Sequence, residues 1–138
     1  MIFATIGTQL PFDRMLASLD TWAARNSSLP IVAQVGATSR RFQHLQTVTA
    51  IPQSEFRHYM QAARLVVAHA GMGTILSAAE LGKPLIIMPR LAKFGEHRND
   101  HQQHTSHEMS RLSHVTVVAN GEELHMALDR VVARGFAT

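Results

Sequence analysis

The chain contains no cysteine, which excludes a disulfide framework, a cysteine nucleophile and a zinc–thiolate site and fits a reducing compartment. Aromatic residues make up only 6% of it, and no block of Lys and Arg exceeds two residues. Neither a stacking platform nor a basic stripe is present, so nucleic acid is not an expected partner. Long apolar runs are missing too. Ile31 to Val35, Leu65 to Ala68 and Leu85 to Met88 fall far short of the roughly 20 residues that cross a bilayer, and the opening MIFATIGTQ lacks the basic flank and apolar stretch of a signal peptide. The expectation is a cytoplasmic protein without an anchor of its own. There is no G-x-S-x-G elbow, no G-K-[ST] and no complete G-x-G-x-x-G, so a serine hydrolase, a P-loop and an NAD fingerprint have no support.

What is present suits one domain over residues 1–138. Hydrophobic residues are 46% of the chain and charged residues 17%, enough to bury a real core. The formal charge is +3 with nine histidines uncounted, which favours phosphates or an anionic membrane face over acidic partners.

Six runs of apolar and β-branched residues end in turn residues: Met1 to Ile6, Ile31 to Val35, Gln46 to Ala50, Leu65 to His69, Leu85 to Met88 and Val115 to Val118. Continuous apolar runs are the mark of parallel strands covered on both faces. Between them lie stretches with helical spacing, among them Phe12, Met15, Leu16 and Leu19; Phe56, Tyr59 and Met60; Ile75, Leu76 and Ala79; Met109 and Leu112; and Leu124, Leu128 and Val131. Strict alternation predicts an α/β fold, a single Rossmann-like doubly wound parallel sheet whose ligands bind at the carboxyl ends of the strands. Pro11, Pro52 and Asn120-Gly121 punctuate strand-to-helix turns. One connection, Pro89 to about Arg98, is polar, basic and longer than the usual 2 to about 6 residues, as functional loops often are.

Three of the strand ends carry small and hydroxylated residues: Gly7-Thr8-Gln9, Gly36-Ala37-Thr38-Ser39, and His69-Ala70-Gly71-Met72-Gly73-Thr74. In a parallel sheet they share one edge. Two readings of the last stretch are open: Gly71 and Gly73 simply permit a turn capped by Thr74, or they let a phosphate approach the free N–H groups of a helix that starts near Thr74. Three such turns on one edge point to a nucleotide diphosphate.

The segment Glu96 to His104 opens the next helix, with Asn99 or Asp100 as its cap. Either it is a solvated helix start, or its glutamines present amides to sugar hydroxyls. His97, His101, His104 and His107 recur at helical spacing but have no matching carboxylate, so solvent-facing histidines are expected rather than a metal site. Acids are scarce. Asp13 follows the first loop and is placed to face the crevice, whereas Glu55 and Glu80 belong to helix surfaces. The edge therefore offers ligand contacts without a convincing catalytic base.

The strings GTQLPFDRM, ARLVVAHAGMGTILSAAELGKPLIIMPR and NDHQQH resemble the donor-binding half of B-type glycosyltransferases, of the family 28 C-terminal-domain kind. The resemblance covers nearly the whole chain, and it is most specific to the small subunit of bipartite enzymes that extend polyprenyl- or dolichyl-diphosphate sugars, as in exopolysaccharide assembly. It implies a UDP-sugar lying across the carboxyl edge, with no metal or other cofactor. Gly7, Thr8 and Gln9 would face the diphosphate or the acceptor cleft; Gly71, Gly73 and Thr74 would put the helix N-terminus on the α-phosphate, with His69, Ala70 and Ser77 also in the donor-binding set; Gln102 and Gln103, with His101 beside them, would read the donor sugar. The loop near Ile51 would lie close to the uracil. The implied partner is a membrane-associated subunit that holds the lipid-diphosphate-linked acceptor and supplies the catalytic base, recruiting this chain to the cytoplasmic face of the membrane. Where related enzymes commonly carry a ribose-binding acid, this chain has Ser77, with Glu80 one helical turn further on. The alternatives are a non-catalytic nucleotide-sugar-binding or regulatory domain, and a sugar-nucleotide epimerase, which length and the scarcity of acids disfavour.

Overall fold

The computed structural model describes residues 1–7 and 10–136. Strands β1 (Ile2–Thr5), β2 (Ile31–Gln34), β3 (Gln46–Val48), β4 (Leu65–His69), β5 (Leu85–Met88) and β6 (Val115–Val117) alternate with helices α1 (Asp13–Ala24), α2 (Gln53–Ala62), α3 (Met72–Glu80), α4 (His101–Met109) and α5 (Gly121–Ala133). All paired strands are parallel, in the order β3-β2-β1-β4-β5-β6. Ile2 stands beside both Ile31 and Leu65, so β1 is central and the chain reverses direction across the sheet between β1 and β4. That reversal opens a crevice at the carboxyl ends of the two strands, the place where doubly wound sheets bind ligands.

The four central strands, β1, β2, β4 and β5, form the sheet through two-sided burial, whereas edge strand β3 is largely exposed. Along β1, Ile2, Ala4 and the following Ile6 enter one core with Leu16, Leu19 and Trp22 of α1 and Leu124 and Leu128 of α5. Phe3 points the other way, into a second core with Met60 of α2 and Ile75 and Ala78 of α3. Its ring stacks on Tyr59 at 5.3 Å and meets Phe56 edge-on at 5.7 Å. α1 and α5 are also pinned together by Trp22 Nε1 donating to Asp129 Oδ1 at 2.9 Å.

Two expectations about helix ends need correction. α3 begins at Met72 with Gly71 as its N-cap, so Thr74 is a buried third-position residue and not the cap. α4 begins at His101 with Asp100 at the cap position, one of the two expected, but residues 96–99 are not part of the helix and belong to an irregular loop that includes a 3₁₀ turn at Ala92–Phe94. The loop is held back from the helix because Glu96 is drawn inward by Arg14, while Asp100 Oδ1 accepts from Ala92 N at 2.9 Å. Asn99 Oδ1 accepts from His101 N at 2.8 Å. His97 therefore lies outside the helical spacing of His101, His104 and His107. Leu112 lies beyond the end of α4 and is exposed.

Candidate functional site

The crevice is built from strand ends whose positions are fixed by two glutamines. Gln34, the last residue of β2, accepts at Oε1 from Thr5 Oγ1 (2.9 Å) and Ile6 N (3.3 Å), and donates through Nε2 to Thr49 O at 3.1 Å. Thr5 Oγ1 in turn accepts from Gly7 N. One side chain thus ties the ends of β1, β2 and β3 together. A single glutamine in the apolar run Ile31 to Val35 was the available sequence signal, since a polar group in a buried strand needs partners.

Gln102, 7% exposed, does the same on the other side of the crevice. Its Oε1 accepts from Ala70 N at 3.2 Å and Arg90 N at 3.1 Å, and its Nε2 lies 3.0 Å from His69 Nδ1. The first glutamine of the pair is therefore committed to the ends of β4 and β5, whereas Gln103 is exposed, as is His101.

His69 occupies the middle of the switch point. Its pKa is lowered to about 4, first by burial and then by the positive fields of Arg90 and His97, so the ring is neutral at physiological pH. A Cβ on Gly7 would stand 2.6 Å from His69 Nε2, and a Cβ on Gly71 would also stand 2.6 Å from it. Glycine is required at both positions by the ring between them, and Gly7 also has φ +77°. Gly73 differs. A Cβ there would meet nothing within 4 Å, so no internal contact demands glycine and the start of α3 is left open. No side chain caps that helix end, and the first helical bond runs from Ile75 N to Gly71 O at 3.1 Å, leaving the N–H groups of Met72, Gly73 and Thr74 for an external partner. Thr8 and Gln9 lie outside the described residues.

The long loop is not a freely solvated basic segment. Arg90 is 1% exposed and donates to Ile6 O, Pro11 O (3.3 Å) and Glu96 O (3.0 Å), with its guanidinium 5.0 Å from the Phe12 ring centre. Burial lowers its pKa and the nearby Glu96 opposes that shift. Arg14 grips the Glu96 carboxylate with Nε and a terminal nitrogen at 3.0 and 3.1 Å and also donates to Pro89 O and Ala119 O. Arg90 is thus buried between Ile6, Pro11 and Glu96 rather than projecting from the long loop, while its charge still acts on His69. Arg14 and Glu96, 82 residues apart, gave no local sequence signal. Lys93 and Arg98 are the exposed cations of the loop.

The acids are also placed. Asp13 Oδ1 accepts from Thr38 Oγ1 at 2.7 Å, so the hydroxyl expected to meet a ligand is turned onto α1. Ser77 is half-buried in α3, and Glu80 ends that helix, exposed and 3.5 Å from Arg57 of α2. A helix rises about 1.5 Å per residue, which puts Glu80 roughly 9 Å below Thr74 and away from the crevice. Among the described residues no group of three His, Asp or Glu side chains is arranged to hold a metal ion.

Sheet order, switch point and glycine turns are those of a doubly wound nucleotide-binding type of sheet, and residues 1–135 match the glycosyltransferase family 28 C-terminal domain. The chain belongs to this family. No curated relative matches it. Among solved structures, this family 28 domain is similar to the kitacinnamycin glycotransferase (TM-score 0.68, 18% identity, 98% of this chain and 36% of that one). It is also similar to a calicheamicin glycosyltransferase (0.68, 15%, 96% and 33%) and to SnogD from Streptomyces nogalater (0.64, 18%, 98% and 36%). These likenesses establish the fold of the C-terminal half of B-type glycosyltransferases. The domain spans about a third of the length of each. None of its helices is long and apolar enough to cross a membrane among the described residues.

Proposed function

We propose that this family 28 domain binds the donor of an inverting glycosyl transfer, a UDP-sugar, and that the acceptor is a lipid-diphosphate-linked sugar held by a separate membrane-associated subunit, as in exopolysaccharide assembly. One observation carries the reading: Gly7, His69 and the uncapped start of α3 converge at the topological switch point, with an open approach over Gly73. A diphosphate suits that geometry. Free helix N–H groups and the positive end of the α3 dipole would stabilise the UDP leaving group as negative charge develops, without requiring a metal. Gln103 and His101, exposed at the first turn of α4, are available to the donor sugar, and Ser77 stands where the ribose contact is expected. Thr8 and Gln9 complete the proposed donor set.

Two further observations support a partner. The acid nearest the first loop, Asp13, is turned onto Thr38 through Oδ1, in keeping with a base supplied by another chain. Leu10, Met72, Leu76 and Phe94 are large exposed apolar residues, three of them in the loop after β1, at the start of α3 and in the loop after β5, and Leu76 one turn along α3. Residues so placed border the crevice and suit a covering domain. Calorimetry of the chain with UDP-GlcNAc, UDP-glucuronate, UDP-galactose and NAD tests the donor assignment. Binding of UDP-sugars with no heat from NAD is the expected result; NAD binding with no response to any UDP-sugar would overturn it.

A further inference from the structure

We propose that Gln102 is a positioning residue: it fixes the His69 imidazole as its Nε2–H tautomer, so that the crevice meets a hydrogen-bond donor and not a base. This departs from a role in reading sugar hydroxyls, which falls to Gln103. The argument is one of donor and acceptor accounting. Both acceptor positions of Gln102 Oε1 are used, by Ala70 N at 3.2 Å and Arg90 N at 3.1 Å. Turning the amide over would aim its NH₂ group at two backbone N–H donors, so its orientation is settled. The atom 3.0 Å from His69 Nδ1 is then the amide nitrogen, which can only donate. Nδ1 must offer its lone pair, and the single proton of the neutral ring sits on Nε2.

The ring cannot escape that assignment by moving. Nε2 lies 2.6 Å from where a Cβ of Gly7 or of Gly71 would be, so backbone closes on it from both loops. Nor does protonation compete. A second proton would set Nδ1–H against the Gln102 N–H, and the groups that face the ring, the Arg90 guanidinium just past β5 and the titratable His97 in the loop that follows, act in the same direction. The result is a neutral donor whose strength does not change through the neutral pH range. Its functional meaning, a contact to a diphosphate oxygen, rests on the donor reading given above.

The test separates the two. In the full chain labelled with ¹⁵N-histidine, long-range ¹H–¹⁵N spectra at pH 7, with His69 identified by the signal lost in His69→Asn, should show Nδ1 unprotonated and Nε2 protonated. Gln102→Glu keeps an acceptor for Ala70 N and Arg90 N but offers Nδ1 an acceptor in place of a donor, so it should move a proton onto Nδ1. In that variant the dissociation constant for UDP, taken as a ratio to wild type at each pH, should rise by about tenfold between pH 6 and 8.5 as Nε2 loses its proton. A wild-type ring protonated on Nδ1, or a ring unchanged by Gln102→Glu, overturns the assignment. If the spectra are as expected but UDP does not bind, the positioning role stands and the donor reading fails.

Discussion

The two halves of the ligand edge are fastened by the same residue type in different ways. On the β1-β2-β3 side, Gln34 joins backbone groups and a threonine hydroxyl, none able to titrate, with the β1 partners buried and Thr49 O nearer the surface. On the β4-β5 side, Gln102 joins backbone groups and an imidazole at the switch point. The first is a purely mechanical fastening, whereas the second transmits the identity of one side-chain atom into the crevice. Equivalent loss of either should cost similar stability but have different chemical consequences.

The largest expected effect comes from removing the fastenings. Gln34→Leu and Gln102→Leu each strand two or more buried polar partners, and each should lower unfolding free energy by about 3 kcal/mol in urea titrations. A loss below about 1 kcal/mol at either position would show that the partners find replacements. Acid comes next. Because the folded His69 pKa is about 4 and its ordinary value 6.5, the unfolded chain takes up the proton first as pH falls. His69 therefore contributes its full stability above pH 6.5, and about 3 kcal/mol of it is lost between pH 6.5 and 4. Gln34→Leu should keep that acid loss, while Gln102→Glu, by supplying a carboxylate to Nδ1, should shrink it to less than about 1 kcal/mol. Equal acid profiles in the two variants would erase the distinction between the halves.

The smallest effects separate two neighbouring glycines. Gly71→Ala drives a methyl into the His69 ring and should destabilise by about 1–2 kcal/mol. Gly73→Ala meets open space in a helix and should stabilise by about 0.5–1 kcal/mol, yet weaken UDP binding by crowding the approach to α3. Thermal melts and calorimetry on the pair read both quantities; a Gly73→Ala variant that binds UDP at full strength would return that glycine to a simple turn residue.

How far the sequence could be read differs along the same line. The six runs coincide with the six strands to within two residues, in the four central strands because two-sided burial writes itself into consecutive residues, and at the exposed edge strand β3 through its β-branched Thr47 and Val48. Family membership was also legible, carried by motifs that gather at the switch point. What stayed hidden were pairings made at long range. Nothing local distinguishes buried Gln102 from exposed Gln103, since both are polar residues in a polar stretch, whereas Arg90, flanked by Met88-Pro89 and Leu91-Ala92, differed from Arg98 only in its apolar neighbours. Their partners, Ala70 and His69 for one and Ile6 and Pro11 for the other, are supplied by strand order rather than by sequence proximity. At α4 the cap at Asp100 was legible, whereas the pairing of Glu96 with Arg14 that shapes the loop before it was not, because those residues lie 82 apart.

Arg90 bears on how ligand would enter. By donating to carbonyls of Ile6, Pro11 and Glu96, it ties the end of β1, the residues just ahead of α1 and the loop after β5 to one cation, so these anchor points cannot part without leaving that buried charge unpaired. The ordering of those anchor points is thus complete when the chain folds and not when a ligand arrives. Gating of such a crevice would fall to whatever covers it, by rigid approach and withdrawal, with this side serving as a fixed anvil.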